Sequence, residues 1–469
     1  MMSSAKWSKF PVVALLSVGI AASSQKSVHE WLTTPDGSSL LSLQPTLHWR
    51  TATTEPLVLR VDDSARFQTI DGFGHALTGG SAQLMMKMSP ASRHALLLEL
   101  FGDGPQQMHT SYLRVSLGSS DMNDHAWTYD DLPAGETDPS LAHFSLANDD
   151  ADVVPILREI LRIQPSIAIL ASPWSAPAWM KDNDSLKAGT LQAEHYAVYA
   201  KYFVKYLKAM QRRGIHIAAV TPQNEPENAN NLPSMLLTAD QEALFIGRYL
   251  GPAIRDAGLT TKIIDYDHNC DHPQYPETVL RNPQAYRYVE GTGFHLYLGS
   301  ITALTEVHDA FPKKNIYFTE QMVIPDPKHP EDHSIAEPES RVLIGAMRNW
   351  SRNVLFWNLA ADPQNGPHTS DGGCPVCTGA LTLDGNHVTR LTAFYAAAQA
   401  SRFVPPGSVR IGSTEPSDTL TNVAFSTPKG QHVLIVSNTA NTAQTFAIDA
   451  ANRSVDAALP ARSVATYVW

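Results

Sequence analysis

The chain has 469 residues, of which 43% are hydrophobic and 17% charged, and its formal net charge is -11. This length suggests two or three domains, or one large barrel with a small companion, and the apolar share is that of an ordinary globular core. The acidic balance, without any basic stripe, excludes a nucleic-acid partner, because phosphate binding needs clustered Lys and Arg.

The first elements are a basic flank, Lys6 and Lys9, and the apolar run Phe10 to Ala22, followed by the small residues Ser23 and Ser24. Residues 1–23 therefore read as a signal peptide, with a buried N-terminal strand as the alternative. The run is too short to span a bilayer, and no other segment suggests an integral span. The expected location is secreted or periplasmic.

Residues 24–65 predict short strands, at Trp31 to Thr34 and Pro56 to Val61, with a turn at Pro35-Asp36-Gly37. Residues 66–402 predict a different pattern. Eight apolar runs recur, at Ile70–Gly74, Tyr112–Leu117, Ile167–Ala171, Ile217–Thr221, Lys262–Asp265, Gly293–Tyr297, Asn315–Thr319 and Asn353–Trp357. Amphipathic stretches such as Glu194 to Arg213 and Ala239 to Ala257 separate several of them. Eight strands alternating with helices are the pattern of a (β/α)8 TIM barrel. Residues 403–469 return to punctuated strand-like runs. The two β-rich ends are expected to fold together as a β-sandwich side domain.

In such barrels the working residues stand at the C-terminal ends of the strands. Strand two carries Arg114 and runs on to Asp121; strand three ends at Trp174; strand four ends Asn224-Glu225-Pro226. Strand five ends Tyr266-Asp267-His268-Asn269, strand six carries Tyr297, strand seven ends at Glu320, and strand eight ends at Trp357. Glu225 and Glu320 thus face one mouth, as glycoside hydrolysis requires of a carboxylate pair. One glutamate at a strand end is more often a solvated loop residue; the two together argue for chemistry. Asn224 suits a sugar 2-hydroxyl, Trp174 and Trp357 offer flat faces to a sugar ring, and Asp121 and His268 offer polar contacts. Arg114 inside a strand calls for a carboxylate partner, and with Tyr297 it could hold the nucleophile ionised.

Cys374 and Cys377 lie in a Gly/Pro loop without two further soft ligands nearby, so a local disulfide is a better reading than zinc or a redox pair, and Cys270 is left over. No metal site and no cofactor are expected.

The segments Gln68-Thr69-Ile70-Asp71-Gly72-Phe73-Gly74, Ala171-Ser172-Pro173-Trp174-Ser175-Ala176-Pro177, Thr221-Pro222-Gln223-Asn224-Glu225-Pro226, His295-Leu296-Tyr297 and Phe318-Thr319-Glu320-Gln321 resemble glycoside hydrolase family 30, in its glucosylceramidase-like, bacterial type. The resemblance implies a retaining mechanism with Glu225 as acid/base and Glu320 as nucleophile. It also implies sugar contacts from Asp121, Trp174, Asn224 and Trp357, with Arg114 and Tyr297 beside the nucleophile. The substrate expected first is a terminal β-glucoside of an aryl or lipid aglycone, with peripheral contact to a glycolipid. Endo-β-1,6-glucanase action on a β-glucan and β-xylosidase action are the alternatives within the family. A carbohydrate-binding barrel without catalysis is the alternative outside it, and it predicts loss of one of the two glutamates.

Overall fold

The computed structural model describes residues 27–323 and 334–469, so the signal peptide expected at 1–23 lies outside the described residues. Eight apolar runs form parallel strands: β1 (Gly72–Leu77), β2 (Tyr112–Ser116), β3 (Ala168–Ser172), β4 (Ala219–Val220), β5 (Lys262–Cys270), β6 (Val289–Gly299), β7 (Asn315–Glu320) and β8 (Ser351–Asn358). They close into a barrel in the order β6-β7-β8-β1-β2-β3-β4-β5. β1 is buried along its whole length. That explains why these strands read as continuous apolar runs, since helices cover the face that the lumen does not.

Alternate residues of a strand share a face. Tyr112, Leu170, Ala219, Ile264, Tyr317 and Leu355, one from each of six strands, pack as a single cluster that fills the lumen as a layer. Two positions further toward the C-terminal rim come Arg114, Ser172, Thr221 and Trp357. The pleat that buries the layer therefore aims these four into the mouth above it.

The surrounding helices are set by their caps and apolar faces. Thr78 caps the helix Gly79–Lys87 and Ser89 caps Pro90–Phe101, each hydroxyl accepting from a backbone N–H three residues on. The helix Tyr196–Arg212 buries Tyr199, Tyr202, Phe203, Tyr206 and Met210 at helical spacing, and a buried side chain of this size contributes about 1.5–3 kcal/mol.

The ends of the chain share the second domain. Ser27–Thr33 pairs antiparallel with Val464–Val468, and Val58–Thr69 pairs with Val409–Ser413 and Gln444–Ala450. Val28, Leu59, Ile411, Leu434, Phe446, Leu459 and Tyr467 form their common core. Gln399, on the helix Thr392–Ser401 that follows the barrel, donates to Thr33 and accepts from Thr466, which locks this helix to both ends of the chain. A short sheet of Ala360–Ala361, Leu381–Asp384 and His387–Arg390 follows β8 and frames the loop between its first two strands.

Candidate active site

Beyond β4 the chain runs Thr221-Pro222-Gln223-Asn224-Glu225. Glu225 adopts φ 46°, a left-handed conformation that costs a non-glycine residue on the order of 1–3 kcal/mol and is met at functional sites. Its N–H donates to the Asp267 carbonyl at 3.0 Å, which ties the end of β4 to β5. Glu320 is the last residue of β7. Both glutamates are more than nine-tenths buried and line one cavity of about 480 Å³ with Asp121, Trp174, Asn224, His268, Tyr297 and Trp357. Every residue singled out from the strand ends is thus brought to one place except Arg114, which lies directly beneath.

Arg114 is fully buried and joins four strands. Nη1 donates to Glu320 Oε2 at 2.5 Å, and Nη2 donates to Asp267 Oδ2 at 2.7 Å, Asn224 Oδ1 at 2.6 Å and Ser172 Oγ at 3.3 Å. Its guanidinium lies 5.0 Å from the Trp174 ring and 5.7 Å from Trp357, whose rings are 5.5 Å apart. Burying the charge would be costly; two carboxylates and the oxygens of Asn224 and Ser172 compensate at Nη1 and Nη2, while Nε is buried without a partner. Binding Asn224 through its oxygen leaves the amide NH2 as the end available to a ligand. The Tyr297 hydroxyl donates to the other Glu320 oxygen at 2.8 Å. Burial raises the Glu320 carboxyl, while His295, Arg114 and Tyr297 oppose that rise.

Two residues to which the sequence assigned no role complete the network. His295 on β6 is fully buried, its Nε2 3.0 Å from Asp267 Oδ1 and its Nδ1 3.2 Å from Glu225 Oε1. Burial disfavours the imidazolium, but the Glu320 charge and the bonds to Asp267 and Glu225 outweigh it and raise His295 to about 9. Glu225 is pushed up by burial and brought down to about 2 by the same imidazolium, with help from Asn228, which donates to Oε2 at 2.7 Å. Asp267 is driven low: Arg114 and His295 overcome its burial. In the free site the spare proton therefore sits on His295, one hydrogen bond away from Glu225. His295 stands two positions before Tyr297, so strand periodicity alone places it on the same face.

The remaining residues shape the opening. Asp121 Oδ1 is buried without a hydrogen-bond partner, and burial followed by the charges of Glu320 and Glu225 raises its carboxyl to about 8. Trp174 Nε1 is likewise buried and unpartnered. These are polar groups of the kind that sugar hydroxyls satisfy. His268 is held neutral chiefly by burial, and its Nδ1 accepts from the Glu227 N–H at 3.4 Å. Cys374 and Cys377 are joined by a disulfide at the cavity edge. Among the described residues, the group that could hold a cation is Glu225, His295 and Glu320, and there the protonated imidazole already supplies positive charge.

The sequence matches the glycosyl hydrolase family 30 TIM-barrel domain over residues 70–404 and the family 30 beta sandwich domain over 407–467. An endo-1,6-beta-D-glucanase of Aspergillus fumigatus is 35% identical over 407 residues, 81% of each chain. The lysosomal acid glucosylceramidase of Mus musculus is 28% identical over 451 residues, 88% of this chain and 83% of that one. Among solved structures, an endo-beta1,6-glucanase superposes with a TM-score of 0.87 at 32% identity, covering 94% of this chain and 99% of the other.

Proposed function

The chain belongs to glycosyl hydrolase family 30, and from that premise we propose that this glycoside hydrolase cleaves internal β-1,6 bonds of a glucan with retention of configuration. The sequence motifs put an aryl or lipid β-glucoside first. Similarity reverses that order, because the glucanases stand nearer to this chain than the glucosylceramidases do.

One observation carries the mechanism. Oxygen atoms of Glu225 and Glu320 lie within 4.8 Å of each other. Retaining enzymes hold their carboxyl groups roughly 5–5.5 Å apart, and inverting ones roughly 6.5–9.5 Å, to admit a water. Glu320, oriented by Arg114 and Tyr297, attacks the anomeric carbon. Glu225 takes the proton held by His295 across their hydrogen bond and delivers it to O6 of the departing glucose unit, and a covalent α-glycosyl-enzyme results. Glu225, now a base, takes a proton from water as that water attacks the same carbon, and the β-anomer is released. Export, read from residues 1–23, suits a substrate too large to enter a cell.

The test is digestion of β-1,6-glucan followed by proton NMR and chromatography. The expected result is a ladder of oligosaccharides whose first-formed reducing ends are β. Cleavage of glucosylceramide alone, or first-formed α ends, would overturn the proposal. Glu320→Gly should be inactive, and with azide and an activated β-glucoside it should form the α-glycosyl azide.

A further inference from the structure

We propose that the reducing-side residues of the bound glucan leave the catalytic cavity past Glu227 and lie in a second cavity between the loops that follow β4 and β5. This rests on the glucanase reading and adds the path of the substrate to it.

The direction follows from the chemistry. The acid protonates the leaving oxygen, so the departing part of the chain lies on the Glu225 side and not on the Glu320 side. On that side the catalytic cavity is walled by Glu227, Asn228, Asn230 and Asn231, the residues just after the acid. Glu227 is also a wall of a second cavity of about 610 Å³, within the roughly 300–1,000 Å³ of ligand sites. The two cavities therefore adjoin at one side chain.

The second cavity has the composition of a sugar site. Pro226, Leu236 and Leu237 give an apolar floor, and Thr190, Gln274 and Thr278 give hydroxyl and amide groups. A pyranose presents the same mixture of C–H faces and hydroxyl edges, whereas a ceramide tail would call for apolar walls throughout. The floor is fixed before any ligand arrives: Leu237 N–H donates to Pro226 at 2.9 Å, and the Tyr275 hydroxyl donates to the Leu237 carbonyl at 2.7 Å. Glu227 at the divide lies 2.9 Å from His272 Nδ1, which links the loop after β4 to the loop after β5. A chain passing this divide has to bend. The 1,6-linkage allows that, because its exocyclic methylene adds a rotatable bond to every junction.

The experiment measures kcat/KM for β-1,6-linked glucose oligomers of increasing length, labelled at the reducing end so that the cleaved bond is identified. The intact protein should gain about tenfold as reducing-side units are added, equivalent to ~1.4 kcal/mol of contact. Gln274→Leu with Thr278→Leu, which replaces two polar groups by apolar bulk, should abolish that gain and shift cleavage toward the reducing end. The readout is a ratio between substrates on one preparation, so a partly misfolded sample does not change it, and each single variant serves as a second check. If the intact protein cleaves β-1,6-glucan but its rate is flat with reducing-side length, or the double variant keeps the gain, the second cavity is not on the path and the glucanase reading stands. If β-1,6-glucan is not cleaved at all, the glucanase reading falls and this inference with it.

Discussion

Replacing His295 by glutamine should narrow the pH profile of kcat/KM from both sides. In the intact site burial is overcome by Glu320, Asp267 and Glu225, and the imidazole is raised to about 9. A histidine raised in this way holds its proton below that value and loses it above. The Glu225–His295 pair thus keeps a transferable proton through neutral pH, and the alkaline limb is expected near pH 9. Glutamine is of similar reach but cannot carry the proton, so Glu225 must hold it alone. Buried catalytic glutamates reach roughly pH 6–7, and the alkaline limb should fall into that range. The acid limb should rise, because the positive charge of His295 is the strongest influence opposing the burial-driven elevation of Glu320. The assay is initial release of reducing ends from β-1,6-glucan well below KM between pH 4 and 10, with Tm measured at each pH to separate unfolding from titration. An alkaline limb unmoved in the variant would refute the shared proton.

Arg114→Met should destabilise the protein by ~3–5 kcal/mol, because it leaves Asp267 buried without its guanidinium; an unchanged urea midpoint would show that the ion pair contributes nothing. Asp121, raised to about 8 by burial and by Glu320 and Glu225, carries a proton at pH 7. Asp121→Asn should therefore keep much more activity at pH 7 than Asp121→Ala and lose less than the intact enzyme on going to pH 9. Equal loss in the two variants would argue against a protonated donor.

Much of this site was legible because barrel strands obey simple rules. Glu225 beside Asn224 and Glu320 at the end of an apolar run announce themselves by position, and Arg114 by the cost of a charge inside a strand. The hub Asp267 was not legible, and the reason is local. Tyr266 and Asp267 both have positive φ, at 70° and 56°, and the pairing of β5 with β6 slips at this point. Alternation therefore breaks, and nothing in Tyr266-Asp267-His268-Asn269 says which side chain faces inward. Glu242 accepts the Tyr266 N–H at 2.9 Å within this kink, a contact from a distant helix that no local pattern announces. The partition of the chain into β-rich ends and an alternating middle could be read from turn residues and strand runs. The pairing of strands at opposite ends of the sequence could not, because it is set by closure of the barrel between them.

That pairing governs how the molecule is assembled and handled. The strand Ser27–Thr33 is synthesised among the first described residues, yet its partner Val464–Val468 is added more than four hundred residues later. Until then one strand edge has no mate, and the side domain has to wait for the entire barrel, a contact of very high sequence separation that favours slow completion. Trp469 exchanges both backbone hydrogen bonds with His432, so an affinity tag fused there would start inside a paired strand and should be offset by a flexible spacer. Cutting the chain near residue 404 would not yield a self-sufficient barrel, because it would expose Thr33, Gln399 and the edge strand of an orphaned half-sheet together.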